Sequence, residues 1–520
     1  MSEERDVPGA RLSEAEARFD RVRARVGAVL APLVMVGLLL VPTPGLSLEA
    51  HRLLAIVGLT VVLWISEAIP LAVTALLAPA LAVLLSVVPA DQAFAPFAHP
   101  LIFLFLGGFM LAQALAVHGF DRRAALWLLS RSFIAASPAR AMVAVACTSF
   151  LFSMWINNTA TTAMMLPIAT GLCASIGRLV PRDPGVQARH HRFQEGMLIC
   201  LAYAASLGGI CTPIGTAPNM IAIAALDSFA EVHIDFLQWM SFGLPVGLAA
   251  LVILLVAARL RWPPAVDEVE GLTESVRAEL TELGPLSVAE RRAVAIFALA
   301  VLGWLTPSLM RLSAGDAAPA ALWAKKALPE GIVALLAATL LFVVPSGLRS
   351  DDGSETRWRP VMDWSRSRDI DWGTLFLLGG GLALGAMTVD TGLAGAIGDL
   401  VERSLGGDPS PLLLLVVVTG VVIYMTELVS NTATTNMMLP VVIPLAMRAN
   451  MDPVPLALAV TMAASFAFML PVSTPPNAIA YGSGLVRLPT MVRFGAWLDL
   501  LGLALLIGVG GWLLPTIRFW

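Results

Sequence analysis

Two polar ten-residue segments of the chain are nearly identical, although 273 positions separate them. Residues 158–167 read NTATTAMMLP and residues 431–440 read NTATTNMMLP, so nine of the ten positions agree. A second pair of segments follows, PIGTAPN at residues 213–219 and PVSTPPN at residues 471–477. Interrupted apolar segments at matching places in two halves of a chain are typical of a solute-binding site within a bilayer. The sequence therefore predicts two homologous halves, with the binding chemistry at these segments.

The residue types in the first pair of segments suit both an anion and a cation. Asn and Thr are favoured N-cap residues, so each segment can begin a half-helix whose free N–H groups attract an anion. The half-helix upstream ends in free carbonyl groups, which together with hydroxyl and amide oxygens suit a hard cation such as Na⁺. Pro167 and Pro440 are predicted to interrupt the helices further. Simple interhelical hydrogen bonding is the alternative interpretation, which the duplication disfavours.

Basic residues are missing from all of these segments. A bound anion would therefore be met by amides, hydroxyls, helix ends and co-bound cations, which favours coupling to Na⁺ or protons. No Ser/His/Asp triad, paired carboxylates, phosphate loop or HExxH motif is apparent, so no catalytic residue and no enzyme is predicted. The net charge of −4 gives no indication of nucleic-acid binding.

The composition predicts an all-α polytopic membrane protein. Hydrophobic residues make up 58% of the 520 residues and charged residues only 13%, against about 25% in soluble proteins. Apolar runs recur along the whole chain and predict about eleven transmembrane helices plus two re-entrant helical hairpins. Residues 1–26 lack the apolar core of a signal peptide and are predicted to be a cytoplasmic amphipathic segment. Their arginines place the amino terminus inside.

The two halves contain the same parts in the same order. Each is predicted to contain a helical hairpin interrupted by glycines, Gly107-Gly108 in the first and Gly379–Gly381 in the second. A helix broken at the NTATT motif and one broken at the Thr-x-Pro-Asn motif follow. An odd number of crossings between the halves would make them inverted-topology repeats. The predicted hairpins lie at about residues 99–118 and 373–392, and the broken helices at residues 157–159, 213–219, 430–432 and 471–477.

These parts predict the division of the chain. The first span and repeat 1 occupy residues 27–261, and repeat 2 occupies residues 329–520. Between them lie a hydrophilic loop, residues 262–290, and a connecting span, residues 291–328. Ser287 and Glu290 are spaced as a capping box at the start of that span.

At these motifs the chain resembles the divalent anion/sodium symporter family, whose members carry dicarboxylates, citrate or sulfate with Na⁺. The resemblance covers nearly the whole chain and rests on WISEAIP at residues 64–70, the Thr426-Glu427 pair, both NTATT motifs and LPVSTPPN at residues 470–477. It implies a homodimer in the inner (plasma) membrane, in which each protomer has a scaffold domain and a mobile transport domain.

The resemblance also implies the site residues. At least two Na⁺ ions would accompany a dianion, one held by Ser153, Asn157, Asn158 and the Gly215 carbonyl. The other would be held by Thr426, the Val429 carbonyl, Ser430, Asn431 and Ser473. The implied substrate-binding residues are Asn157, Asn158, Thr159, Thr216, Ser430, Asn431, Thr432, Thr474 and Pro475.

One position departs from the family pattern and leaves the mechanism open. The family has Ser-Asn-Thr in the first motif, whereas this chain has Asn157 in place of the serine. We expect a Na⁺-coupled secondary transporter of C4-dicarboxylates such as succinate, working by alternating access. A Na⁺-independent dicarboxylate or citrate exchanger and a sulfate transporter are the alternatives on the same fold, and an anion channel is the alternative of a different class. Glu67 and Glu427 are intramembrane carboxylates with either a functional or a purely structural role.

Overall fold

The computed structural model describes residues 14–131, 137–267, 274–315, 317–347, 359–404 and 410–513. In these ranges eight helices are long and apolar enough to cross a bilayer, or nine if Pro319–Ala327 and Glu330–Val343, bent by 59°, form one span. Five shorter apolar helices accompany them. No named β-strand occurs in these ranges. The predicted all-α polytopic fold is confirmed, whereas the count of about eleven spans stays a prediction.

The first part of the chain contains two helices that pack along each other, then two linking helices, then the seven helices that carry the first pair of motifs. In order they are α1 Glu14–Leu40, α2 Leu48–Ser66, α3 Leu71–Leu84, α4 Ala90–Phe94, α5 Pro100–Val117, α6 Phe120–Leu129, α7 Pro138–Ser153, α8 Asn158–Leu179, α9 Pro184–Gly209, α10 Ala217–Ala230 and α11 Phe236–Arg261.

The second part repeats the order of the seven motif-bearing helices after a connecting region. The connecting helices are α12 Glu274–Glu282, α13 Val288–Ala314 and α14 Pro319–Ala327. α15 Glu330–Val343 follows, and the seven repeated helices are α16 Trp372–Asp390, α17 Leu393–Ser404, α18 Pro411–Thr426, α19 Asn431–Arg448, α20 Pro453–Ala464, α21 Pro475–Gly482 and α22 Leu488–Gly508.

The predicted turns at the glycine clusters are wrong, because α5 and α16 run through them without a break. These glycines instead allow close packing. A Cβ at Gly107 would lie 2.6 Å from the backbone of Ala334 on α15, and one at Gly380 would lie 2.3 Å from the Ala75 carbonyl on α3. α5 ends beside Gly119, and a glycine at the same place, Gly392, follows α16; both adopt positive φ. Within each helix, glycine therefore allows close contact with a neighbouring helix. After each helix, it allows the chain to change direction.

The helices do break at the two NTATT motifs, although not at their prolines. α8 begins at Asn158 and α19 begins at Asn431, whereas Pro167 and Pro440 lie inside these helices. Within the first turns, the Thr162 hydroxyl donates to the Asn158 carbonyl, as the Thr435 hydroxyl does to the Asn431 carbonyl. The prediction that the prolines interrupt the helices is therefore wrong.

The motif-bearing helices of one half pack against the broken helices of the other half. α8 contacts α21 as well as its own neighbour α9, and α19 contacts α10 as well as α20. Most of the buried apolar side chains around these helices form one continuous core. The two halves therefore share one interior, and each motif is held by elements from both.

The amino-terminal segment and the connecting region differ from simple loops. Residues 14–26 belong to α1, which continues unbroken into the first span, whereas residues 1–13 lie outside the described residues. α1 packs on α2 so closely that a Cβ at Gly27 would overlap the Ser66 side chain. The predicted loop contains α12, and the predicted capping box is confirmed, because the Ser287 hydroxyl accepts from the Glu290 N–H and the Glu290 carboxylate from the Ser287 N–H.

Candidate functional site

The first motif places an amide at the start of α8 and a hydroxyl at the end of α7. The Ser153 hydroxyl donates to Asn158 Oδ1 across 2.6 Å. Asn157 is the N-cap of α8, and its Oδ1 accepts from the Ala160 N–H at 2.7 Å. This is the N-cap geometry that Asn favours, and it explains why the helix begins here.

The segment between α9 and α10 packs against the first motif. Asn219, fully buried on α10, donates from Nδ2 to the carbonyls of Gly209 and Thr212 at 2.8 and 2.7 Å. It therefore ties the start of α10 to the end of α9 and fixes the segment between them. Gly215 in that segment has no room for a side chain, because a Cβ would lie 2.5 Å from the Gly209 carbonyl and 3.0 Å from the Ser153 carbonyl.

The second motif repeats this arrangement at constant sequence offsets. The Thr426 hydroxyl lies 2.8 Å from Asn431 Oδ1, as Ser153 does from Asn158 in the first motif. Asn477 donates from Nδ2 to the carbonyls of Ala467 and Leu470 at 2.8 and 3.0 Å. These acceptors occupy the same positions relative to Asn477 as Gly209 and Thr212 do relative to Asn219. The sequence repeat is therefore also a repeat of hydrogen bonds.

The orientation of the two motif amides is suited to an anion. Asn158 and Asn431 place their Oδ1 atoms beside the hydroxyls of Ser153 and Thr426, so the NH₂ group of each amide points elsewhere, with no hydrogen-bond partner among the described residues. Both side chains are half-buried and stand at the first residue of a helix. An NH₂ donor beside free backbone N–H groups at a helix N-terminus can meet a carboxylate.

The oxygens on the other side of the same side chains are suited to a cation. Asn158 Oδ1, which accepts from the Ser153 hydroxyl, lies against Gly209, and the Ser153 backbone carbonyl lies against Gly215. In the second motif, Thr426 Oγ1 lies 2.8 Å from Asn431 Oδ1 and 2.6 Å from the Ala464 carbonyl. One hydroxyl proton cannot serve both acceptors, so this cluster has oxygen lone pairs in excess of donors. Hydroxyl, amide and carbonyl oxygens are the ligands that hard cations prefer.

The structure places the remaining predicted site residues around these clusters. Thr159 and Thr432 are half-buried in the first turns of α8 and α19, and Ser430 is the half-buried N-cap of α19. Thr216 and Thr474 are the N-caps of α10 and α21, with Thr474 the more buried. Val429 and Ser473 are buried, whereas Asn157 and Pro475 are exposed. No hydrogen bond joins the two motifs directly within the described ranges.

Three contributors to the site were not predicted from the sequence. The Gly209 and Ala464 backbones belong to the broken helices, and only the repeat offset could have indicated them. The third is Arg23 on α1, whose guanidinium lies 3.4 Å from the Glu67 carboxylate and 3.4 Å from the Leu428 carbonyl. Nothing in the local sequence indicates that contact, which spans 405 residues. It brings a protein cation next to the second motif.

Glu427 has a defined structural partner set. Its carboxylate accepts from the N–H groups of Met469 and Leu470 at 2.8 and 3.0 Å, and Ser473 Oγ lies 2.7 Å away. It therefore holds the segment between α20 and α21 in the way expected of a carboxylate bonded to unsatisfied backbone donors. Glu67, in contrast, is the C-cap of α2, in the left-handed region at φ 49°.

Comparison with known proteins agrees with the fold and the motifs. Residues 23–520 match the sequence profile of the sodium:sulfate symporter transmembrane region. A sodium-dependent dicarboxylate transporter, SdcS, of Staphylococcus saprophyticus is 31% identical over 97% of this chain and 94% of its own length. SdcS of a Staphylococcus aureus strain is 32% identical over 95% of this chain and 91% of its own.

Two solved structures share the fold at low sequence identity. The YdaH transporter of Alcanivorax borkumensis has a TM-score of 0.53 and 14% identity over 81% of this chain and 86% of its own. MtrF of Neisseria gonorrhoeae, from a class of antimetabolite efflux pumps, has a TM-score of 0.52 and 12% identity over 94% of each chain. With the profile match over nearly all its length, the chain is an integral, multi-pass membrane protein that belongs to the divalent anion/sodium symporter family.

Proposed function

We propose that the protein is a symporter that moves C4-dicarboxylates such as succinate together with Na⁺ by alternating access. The observation that carries the proposal is the duplicated hydroxyl–amide pair, Ser153 with Asn158 and Thr426 with Asn431. Each pair presents oxygens to one side and an NH₂ group at a helix N-terminus to the other. Similarity to sodium-dependent dicarboxylate transporters supports the same ion and substrate class.

In this proposal the two cation sites are those that the family resemblance implies. Ser153, Asn157, Asn158 and the Gly215 carbonyl bind one Na⁺, and the second is bound by Thr426, the Val429 carbonyl, Ser430, Asn431 and Ser473. The substrate carboxylates bind at the starts of α8 and α19, within reach of Thr159, Thr216, Thr432, Thr474 and Pro475. Each ion then shares an amide with the substrate, so binding of one favours binding of the other.

The charge balance makes coupling to Na⁺ useful. Two Na⁺ ions neutralise a dianion, and a third makes transport electrogenic. A tenfold Na⁺ gradient supplies about 1.4 kcal/mol per ion, and each net charge moved gains about 2.3 kcal/mol per 100 mV. Because the motif segments contain no Lys or Arg, co-bound cations provide the compensation within the site.

A Na⁺-independent exchanger on the same fold is the second candidate, and Asn157 favours it. Its amide oxygen already accepts from the Ala160 N–H, whereas its NH₂ group is unpaired among the described residues. An exposed NH₂ group at this position can donate to a substrate carboxylate directly and so replace part of the charge compensation that Na⁺ provides.

Counterflow of labelled succinate into proteoliposomes, measured in Na⁺ and in choline, separates the two candidates. Symport predicts uptake that requires Na⁺ and rises with an inward Na⁺ gradient. Equal counterflow in both media would contradict symport and support exchange, and competition by citrate or sulfate reports the substrate class. Single-channel currents would instead support an anion channel.

The arrangement in the membrane is part of the proposal. The amino terminus lies in the cytoplasm because the arginines of the first segment remain on the inside. The two halves are inverted-topology repeats within a transport domain that moves against a scaffold, and two protomers form a homodimer in the inner membrane. Labelling of introduced cysteines in intact cells, with membrane-impermeant and membrane-permeant reagents, tests the orientation. Native mass spectrometry tests the dimer.

A further inference from the structure

A polar cavity that includes no residue of the two motifs lies between the end of α11 and the start of α22. It has a volume of about 500 Å³ and is lined by three arginines, Arg261, Arg487 and Arg493, together with Phe494 and Trp497. No acidic residue is among the described residues that line it. A cavity of this size is within the range of small-molecule sites, and none of the roles assigned so far uses it.

One of the three arginines is neutralised within the protein, whereas the other two are not. The Arg487 guanidinium donates to both carboxylate oxygens of Glu195, from Nε at 3.1 Å and from Nη2 at 2.9 Å. Because Glu195 is buried on α9, this two-pronged contact holds Arg487 in place. Arg261 and Arg493 are exposed and have no hydrogen-bond or ion-pair partner among the described residues. With three arginines and one carboxylate, the cavity has an excess of two positive charges.

The side of the cavity that is buried in the protein is aromatic. Phe494 packs against the buried ring of Trp262, with the two ring centroids 4.4 Å apart. The Arg261 guanidinium lies 5.9 Å from the centre of the Trp262 ring, which is within the range of a cation–π contact. These rings join the chain at the end of α11 to α22, and so they keep Arg261 beside the cavity.

The exposed face of α22 changes in character along the helix. The segment Leu488–Gly511 is long enough to cross a bilayer, and Arg493 is in its second turn, at the depth of the lipid headgroups. Trp497 lies one turn further on the same face and is 68% exposed, as is typical of Trp at a membrane–water interface. Leu501, one turn deeper still, is 41% exposed. A cationic, an aromatic and an aliphatic side chain therefore follow one another toward the middle of the membrane, as the headgroup, glycerol and chains of a phospholipid do.

We propose that this cavity binds the phosphate headgroup of an anionic phospholipid, whose acyl chains lie along the exposed face of α22. Arg261 and Arg493 bind the phosphate, because a guanidinium group matches two phosphate oxygens at once. Arg487 remains paired with Glu195 and adds a fixed donor group to the wall of the site. Basic pockets between transmembrane helices are suited to such headgroups. In the orientation proposed above, this end of α11 and α22 faces the cytoplasm, so the lipid belongs to the cytoplasmic leaflet.

The repeat shows that packing of the helices does not require these arginines. α11 and α22 are the last helices of the two repeated sets, and their glycines Gly243 and Gly495 pack against matching carbonyl groups of the segments after α9 and α20. With these glycines aligned, the positions of Arg487 and Arg493 correspond to Asp235 and Ser241 on the first half. The repeated fold is thus formed without arginines at the matching end of α11. The cationic cavity is a feature of one end of this helix pair.

The competing explanation is that the arginines only fix the orientation of the chain in the membrane, as basic residues in loops do. Arg259 provides the matched control for that role. It is in the last turn of α11, is exposed and has no partner among the described residues, but it does not line the cavity. Its removal takes away the same charge from the same end of the same helix.

Native mass spectrometry of the purified full-length protein, titrated with phosphatidylglycerol, tests the proposal. We expect Arg261→Gln and Arg493→Gln each to weaken binding of the first lipid about fivefold, and the double variant to weaken it about thirtyfold, because each removes one charged contact with the headgroup. Arg259→Gln should bind like the wild type. Phosphatidylcholine with the same acyl chains has no net charge and should bind to the wild type about tenfold more weakly or less.

Three results would overturn the proposal. The first is equal affinity of the wild type for phosphatidylglycerol and phosphatidylcholine, and the second is a loss of binding in Arg259→Gln as large as in the double variant. The third is displacement of the lipid by equimolar glycerol 3-phosphate or inorganic phosphate, which would mean that the cavity binds a soluble anion. The arginines are exposed, so the single variants should unfold at the wild-type Tm. The measurement needs neither transport nor Na⁺, and its outcome is therefore separate from that of the proposed symport.

Discussion

The two halves of the molecule share the hydrogen bonds that shape the site and differ in the groups around them. Asn219 and Asn477 donate to equivalent carbonyl pairs, and Asn158 and Asn431 place their Oδ1 atoms beside equivalent hydroxyls. The residues around this framework differ: Asn157 in the first half corresponds to Ser430 in the second, and Met154 corresponds to Glu427. The framework fixes where the helices break in each half. Backbone groups that a break frees within a membrane need hydrogen-bond partners inside the protein, and both halves provide the same ones.

The differences between the halves concern charge and capping rather than shape. The second half brings Glu427 and the nearby Arg23 close to its motif, whereas the described part of the first half has neither at the corresponding contacts. In the first half Asn157 caps its helix with a side chain, whereas Ser430 makes no such cap. We infer that the common framework serves the carboxylates of a symmetric substrate, and that the two cation sites are not equivalent.

Removing the motif amides should have the largest effect. We expect Asn158→Ala and Asn431→Ala each to abolish uptake, because each removes both an NH₂ donor for the substrate and an oxygen near the cation. The proteins should remain folded, since these side chains are half-buried. Thermal unfolding with and without succinate is the measurement, and the substrate-induced increase in Tm should disappear in both variants.

Gln187→Ala, which removes a half-buried amide on α9 that bonds only the Pro181 carbonyl among the described residues, provides the control and should transport normally. Uptake by either motif variant at the wild-type rate, with an unchanged Tm increase, would show that the amide does not contact the substrate. Loss in only one of the two variants would break the proposed equivalence of the halves.

The two buried amides of the framework, Asn219 and Asn477, should contribute equally to stability. Asn219→Ala and Asn477→Ala each remove two buried hydrogen bonds, and we expect each to lower the free energy of unfolding by about 2–4 kcal/mol. Thermal unfolding in detergent should show similar decreases in Tm. Asn436→Ala is the matched control, because this buried amide makes a single 3.4 Å bond to the Leu377 carbonyl. A decrease in Tm in one half only would mean that the two frameworks are not equivalent.

The sequence predicts this framework well because its signal is local and duplicated. The motif residues, the helix starts at Asn158 and Asn431 and the overall class of fold could all be predicted from spacing and composition. The glycine clusters could not, because a glycine that allows contact with Ala334 looks the same in sequence as one that forms a turn. The contact of Arg23 also escaped prediction, since its partner, the Leu428 carbonyl, lies far away along the chain.

The hydroxyls that end α7 and α18 should contribute unequally to Na⁺ binding. We expect Thr426→Val to raise the Na⁺ concentration for half-maximal uptake by about tenfold and Ser153→Ala by less, because Thr426 lies close to two acceptor oxygens. Thr434→Val is the control, because it removes a buried hydroxyl on α19 that has no hydrogen-bond partner among the described residues, and it should leave the Na⁺ dependence unchanged. Equal shifts in Thr426→Val and Ser153→Ala would contradict the proposed inequality of the two sites.

The smallest expected effect comes from exchanging the residues at which the two motifs differ. Asn157→Ser makes the first motif resemble the second, and serine still caps the helix, so stability should be unchanged. In a symporter, this variant should shift the Na⁺ dependence of uptake to about two- to fivefold lower concentration, because no NH₂ group needs to be kept away from the ion. Ser430→Asn should shift it the opposite way.

An exchanger predicts a different result from the same pair of variants. If the Asn157 NH₂ group donates to a substrate carboxylate, Asn157→Ser should weaken succinate binding and introduce no dependence on Na⁺. Succinate affinity measured at several Na⁺ concentrations, for the wild type and both variants, distinguishes the two mechanisms. Wild-type affinity that does not change with Na⁺ would contradict symport, because an ion that shares Asn158 and Asn431 with the substrate must by linkage change the affinity for it.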